Sequence, residues 1–199
     1  MAVVLLEMLF VLSPFLPGPG GLTSLTHALF YFAQIGSVIG LPLILIGLIW
    51  NYRHFRKNKA NERRLTPVLL WMVPLVAFCV SYPIANFARD FSRTIAIGSV
   101  QPIVSALESY QQENHFYPDS LSLLVPKYLR SIPKTGIMGL SEWGYAKQEN
   151  SFLLQFWQPV FVNFNVEIVM YNPLGIYDVD ALMSWPGPNG EQWKYLIWD

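Results

Sequence analysis

Two stretches of the chain carry no charged residue and are long enough to cross a lipid bilayer. The first, residues 28–50 (ALFYFAQIGSVIGLPLILIGLIW), would rise about 35 Å as a helix, against a hydrocarbon core of about 30 Å. The second, residues 67–87 (PVLLWMVPLVAFCVSYPIANF), opens on Pro67, which suits a first helical turn, with Thr66 before it as N-cap. Pro74 and Pro83 inside it are tolerated in a bilayer when neighbouring groups compensate. Both stretches read as transmembrane helices. Residues 1–27 begin apolar but are interrupted by Glu7, and they lack the basic leader and small-residue cleavage site of a signal peptide. The apolar part is short for a full span. It reads as a membrane-embedded helix or as a helix on the outer interface, followed by the turn-rich break LPGPGG.

After the second span the helical period continues. Ala96, Val100, Ile103, Val104, Leu107 and Tyr110 recur at three- and four-residue steps, so the helix is expected to run to about Asn114. Pro102 predicts a kink, or a restart with Ser99 as cap. His115-Phe116-Tyr117-Pro118 reads as a turn, and Asp119 or Ser120 as the cap of a short helix over SLSLLV. Pro126 and Pro133 bracket a compact segment. From Trp143 the period becomes two. Residues 151–158 are one strand candidate, and 144–147, 148–150 and 152–156 read as strand, turn and strand of a hairpin. Val162, Phe164, Val166, Ile168 and Met170 then alternate with Asn163, Asn165, Glu167 and Val169, the pattern of a sheet with one buried face. A last strand over 193–198 follows a turn at WPGPNG. Membrane helices followed by a helix-on-sheet domain at 88–199 make the expected fold class α+β.

Charge sets the expected orientation. Only 13% of residues are charged and mean hydropathy is +0.34, whereas a soluble domain carries about 25% charged residues. Arg53, Arg56, Lys57, Lys59, Arg63 and Arg64 crowd the loop 51–66, with Glu62 its single acid. The positive-inside rule puts this loop in the cytoplasm, with Trp50 and Tyr52 at the interface. Everything after Arg89 then lies outside. From Arg89 onward there are seven basic and eleven acidic residues, a net of −4, which argues against nucleic acid as a partner. Cys79 is the only cysteine, so no disulfide can form within the chain.

The run Ala106-Leu107-Glu108-Ser109-Tyr110, then Glu113-Asn114-His115-Phe116-Tyr117-Pro118, then Leu121, Leu124, Val125, Tyr128, Leu129 and Ile132-Pro133 resembles the type IV pilin and pseudopilin family. It is most similar to the major pseudopilin of type II secretion. Tyr177-Asp178 and Ser184-Trp185-Pro186-Gly187-Pro188-Asn189-Gly190 resemble that family's C-terminal loop, and the likeness covers residues 67–199. It implies a bacterial inner-membrane protein with a periplasmic domain built as a long helix packed on an antiparallel sheet. The chain departs from the family where a precursor would be cleaved. Arg64-Leu65-Thr66 precedes the span, no acid occurs between Leu65 and Ala88, and a whole further span lies upstream. A polytopic anchor bearing a pilin-like domain is therefore expected. A processed pilus or secretion subunit is the rival.

Few residues suggest chemistry. Gly36 and Gly40 in the first span, and Ala77, Ser81 and Ala85 in the second, form small-residue stripes that let helices approach closely. Gln34 reads as inter-helix glue. His27, His54 and His115 fall at the outer edge, in the cytoplasmic loop and in the outer turn, too scattered for one metal site. Asp178, Asp180, Asn189 and Glu191 flank a turn-rich loop and could offer oxygen ligands to Ca²⁺. The resemblance implies calcium in a nearby loop, but the second acidic cluster is missing, and ordinary turn residues are the expectation. Gly139-Leu140-Ser141-Glu142-Trp143-Gly144 is one residue too long for a nucleophile elbow, and no Gly-rich phosphate loop follows a strand. No catalytic, cofactor-binding or metal residue is assigned. The basic loop could contact anionic lipid head groups. The expected function is a non-enzymatic, membrane-anchored envelope protein that binds a protein partner or itself. The alternatives are a pseudopilin subunit and an accessory subunit of a membrane enzyme or transporter.

Overall fold

The computed structural model describes residues 2–57, 66–140, 142–162, 164–177, 184–187 and 190–198. Four helices come first: α1 (Ala2–Leu12), α2 (Thr23–Lys57), α3 (Thr66–Gly98) and α4 (Gln101–Asn114). Five strands follow: β1 (Gly144–Lys147), β2 (Phe152–Pro159), β3 (Val166–Tyr171), β4 (Ser184–Gly187) and β5 (Gly190–Trp198). They form one antiparallel sheet in the order β1-β2-β3-β5-β4, and the fold is α+β. By length and composition, two helical segments, Gly20–Arg53 and Met72–Asn114, can each cross a membrane.

α2 is apolar on nearly every side. Phe32, Ile39, Leu45, Ile46 and Ile49 are exposed, while a seam of Phe30, Ala33, Ser37, Gly40, Ile44, Gly47 and Asn51 is buried. That seam advances by alternate steps of three and four, the 3.5-residue repeat of helices packed at a shallow angle. Its tightest point is Gly40, where an added Cβ would overlap the Pro74 ring of α3. α3 answers with Ala77, Ser81, Ala85 and Ala88, all buried, and its small-residue stripe runs on past the apolar span to Ser92 and Ala96, which face the sheet domain. Gly36 is not part of the contact: it is exposed, and a Cβ there would meet nothing within 4 Å. The seam's period carries it round to the open side of α2. α1 packs across both long helices, with Val11 and the following Phe15 buried against Phe30, Ala85 and Ala88.

The helix restarts between α3 and α4, but Ser99 does not cap it. Val100 holds the N-cap position without a side-chain bond, and Ser99 Oγ donates back to the Ala96 carbonyl at 2.7 Å. α4 ends at Asn114, where His115 turns left-handed (φ 65°) and its N–H bonds Gln111 O. The short helix after the turn is a single 3₁₀ stretch, Leu121–Leu124, in which Ser120 holds the N-cap position without a side-chain bond to the backbone. Part of the WPGPNG segment, expected as turn, is strand β4.

Register places the core. Leu154, Tyr171 and Trp193 lie abreast across β2, β3 and β5, and Phe156, Val169 and Tyr195 form the next row. Both rows face Ala96, Val100, Ile103, Val104 and Leu107 of α3 and α4, with Leu121, Leu124, Ile137 and Trp143 closing the edges. β3 starts later than its alternation suggests, at Val166, because Val162 and Phe164 have φ of 79° and 57° and form a tight turn. Its helix-facing side is Glu167, Val169 and Tyr171. Val166 and Ile168 are half-buried on the far face.

Candidate functional site

The residues with the densest polar contacts gather where α3 leaves the apolar bundle and meets the sheet. Arg89, Ser92 and Arg93 share one face of α3 because positions three and four apart on a helix stand together. Opposite them, Gln158 and Glu167 are register partners on the inner face of β2 and β3, one row below Phe156 and Val169. Arg93 reaches across with Nη2 2.6 Å from Glu167 Oε1 and Nε 3.1 Å from Oε2. This two-pronged pairing fits the planar guanidinium to the carboxylate. Gln158 donates to Glu167 and to the Arg89 carbonyl (3.3 Å), and accepts from Ser92 Oγ at 2.7 Å. Arg89 Nε stands 3.7 Å from Glu167 Oε1, and Arg93 also binds the exposed Asp90 at 2.8 Å.

Glu167 is 3% exposed, so its charge survives only through these partners. Burial works against the charge of Arg93, yet the charge and hydrogen bonds of Glu167 outweigh it and hold the guanidinium above its ordinary value. The Arg93 guanidinium also covers the Tyr195 ring at 4.4 Å, joining the polar network to the apolar core. The chemistry is that of a lock. It spends the hydrogen bonds of Arg93 and Glu167 on each other.

Two further contacts fix the same junction. The β2–β3 turn carries Phe161 into the helix bundle, where it is 2% exposed and lies 5.9 Å from the Phe30 ring and 6.2 Å from that of Phe78. Phe164 stacks on Tyr31 at 6.1 Å. The left-handed backbone of this turn costs roughly 1–3 kcal/mol per residue. Burying Phe161 returns about 2–3 kcal/mol, and each aromatic pair adds about 0.5–1.5 kcal/mol. The plug thus offsets its own strain.

On the other side the segment after α1 clips onto the sheet domain. Gly18 N–H donates to Gly136 O, Met138 N–H to Leu16 O and Gly139 N–H to Pro14 O, each at 2.9 Å. Thr23 Oγ1 donates to Met138 O at 2.9 Å, and His27 Nε2 lies 3.0 Å from Gly139 O. Gly139 is required here because a Cβ would overlap the Pro14 carbonyl. The chain matches no protein-family model, no curated protein and no solved structure. Geometry alone therefore carries the functional reading.

The residues singled out in the sequence are dispersed. His27 serves the clip and His115 ends α4. His54 lies within α2, and nothing is described of its side chain. Asp178, Asp180 and Asn189 lie outside the described residues, as does the side chain of Glu191. Gln34 is fully buried with no hydrogen-bond partner among the described residues, so its amide does not bond across the helices. The Arg89, Arg93, Gln158 and Glu167 network was not singled out. Its signal was two arginines four apart just beyond a charge-free run, and one acid inside an apolar alternation.

Proposed function

We propose that this chain is a non-enzymatic, membrane-anchored envelope protein whose C-terminal domain, pilin-like in layout, binds a protein partner. On this reading α2 and α3 cross the bacterial inner membrane, the basic loop 51–66 is cytoplasmic, and the sheet domain stands on the periplasmic side. The observation that carries it is the docking of the sheet domain onto the helices at the arginine network, the Phe161 plug and the Pro14–Gly18 clip. A domain held in this way presents its surface in a fixed orientation to the bilayer, which suits recognition better than a tethered domain would. Trp157, Trp198, Leu174, Ile176 and Phe116 supply exposed aromatic and apolar surface of the kind enriched at interfaces.

The pilin likeness is supported by the layout, a long helix that runs from an apolar segment onto an antiparallel sheet. The rival reading, a processed pseudopilin subunit, is disfavoured because α1 and α2 already cover Ala85 and Ala88 of the small-residue stripe of α3. The test is photo-crosslinking from positions between 89 and 199 in native membranes, together with reporter fusions at the loop and the C-terminus. Defined adducts to envelope proteins and a non-cytoplasmic C-terminus are expected. A lone monomer under several conditions, a cytoplasmic C-terminus, or a mature fragment beginning near residue 67 would each overturn the proposal.

A further inference from the structure

Glu7 is the sole acid in the apolar helical bundle, since the next along the chain are Glu62 in the basic loop and Asp90 beyond the second span. α1 runs antiparallel to α2: Ser13 Oγ donates to Thr26 O at 3.2 Å, and at the far end Ser37 Oγ donates to Glu7. Ser37 lies nine residues inside the start of the charge-free run at residue 28, a depth of about 14 Å in a core of about 30 Å. The carboxyl group of Glu7 therefore stands near mid-membrane. Its only hydrogen-bond donor among the described residues is a hydroxyl.

A carboxylate at that depth is costly and is found with a compensating charge. This chain offers none there. Residues 1–26, 28–50 and 67–87 contain no Lys, Arg or His. Glu7 lines a cleft of about 240 Å³ between α1, α2 and α3, together with Phe10, Phe32, Gly36, Ser37 and Pro74. Gly36 is exposed at its lip, where an added Cβ would meet nothing within 4 Å. A bare glycine on a lipid-facing side leaves room for another helix to come close. We infer that this cleft receives a transmembrane helix of a partner protein carrying a Lys, Arg or His at the depth of Glu7. Shape is supplied by Gly36 and charge by Glu7, and the surface is separate from the one proposed on the sheet domain.

The test places a photoreactive residue at Phe32 or Leu6 of the full-length protein in native membranes, with Leu45, exposed elsewhere on α2, as the control position. The adduct is sequenced. Support is an adduct from the cleft positions, and not from Leu45, to a membrane segment bearing a basic residue. Glu7→Gln, which keeps an acceptor for Ser37, should reduce that adduct about tenfold or more. Gly36→Leu should do the same while leaving the protein's own melting temperature unchanged, because the added side chain starts in open space. Glu7→Lys combined with the partner's basic residue changed to Glu should restore the adduct. Adducts to lipid alone, to a second copy of this chain, or to a segment without a basic residue would overturn the inference, as would indifference to Glu7→Gln. In each of those cases the membrane placement stands. Labelling of Phe32→Cys by a water-soluble thiol reagent would instead remove the membrane placement itself.

Discussion

Glu167 shows how a single acid can sit on the wrong-looking face of a strand. Its neighbours along the inner face of β3 are Val169 and Tyr171, and only the convergence of Arg93, Gln158 and Arg89 makes the position tenable for a carboxylate. Removing one partner of such a pair leaves the other uncompensated, so Glu167→Ala should cost about 3–5 kcal/mol. Replacing both charges, with Arg93→Met and Glu167→Leu, should bring stability back to near the starting value. Thermal unfolding in detergent decides this, and a double variant no better than the single one would contradict it. Tyr145 makes a second case. Burial first, then the charge of Asp119, push its phenol up to about 12, and its hydroxyl donates to Pro118 O at 2.6 Å. In the unfolded chain the same group ionises near ~10. Its contribution to stability is therefore complete below pH ~10 and is lost as pH rises to about 12. Tyr177 is pushed up to about 12 as well, so a phenolate absorbance titration should show a late step of two groups, which Tyr145→Phe should reduce to one.

At the level of elements, the helices were legible and their fine contacts were not. Charge-free length reveals α2 and the first part of α3, both long and apolar enough to cross a membrane, and three- and four-residue steps carry α4 to Asn114. Spacing alone could not tell Gly36 from Gly40, since four residues bring two glycines to nearly the same face, and only the seam's alternate steps of three and four leave Gly36 outside it. In β3 an alternating pattern suggested that the acid pointed outward. Its arginine partner lies 74 positions away, so no local pattern could reveal the inversion. Gly40→Leu should force α2 off Pro74 and lower stability by about 1–3 kcal/mol, the range expected for overpacking. Melting curves of the purified protein should register the loss. A Gly40→Leu protein as stable as the parent would mean the two helices are not packed at this point.

Across the whole molecule, the arginine network, the Phe161 plug and the clip each join positions far apart in sequence. Gly139→Val would drive its side chain into the Pro14 carbonyl and spring the clip, while Phe161 and Arg93 still hold the opposite side. Limited proteolysis should then cut within 13–22 at least about tenfold faster, with the sheet's aromatic signal retained. Unchanged cutting would show that the clip contributes nothing to order. The clip also bears on how the molecule is made. Pro14, Leu16 and Gly18 leave the ribosome more than a hundred residues before Gly136, Met138 and Gly139, the groups that bond them. During synthesis the first helix must therefore wait with its exit turn unsatisfied until the C-terminal part has emerged and begun to fold. Residues made more than a hundred positions ahead of their partners find their place only when those partners arrive.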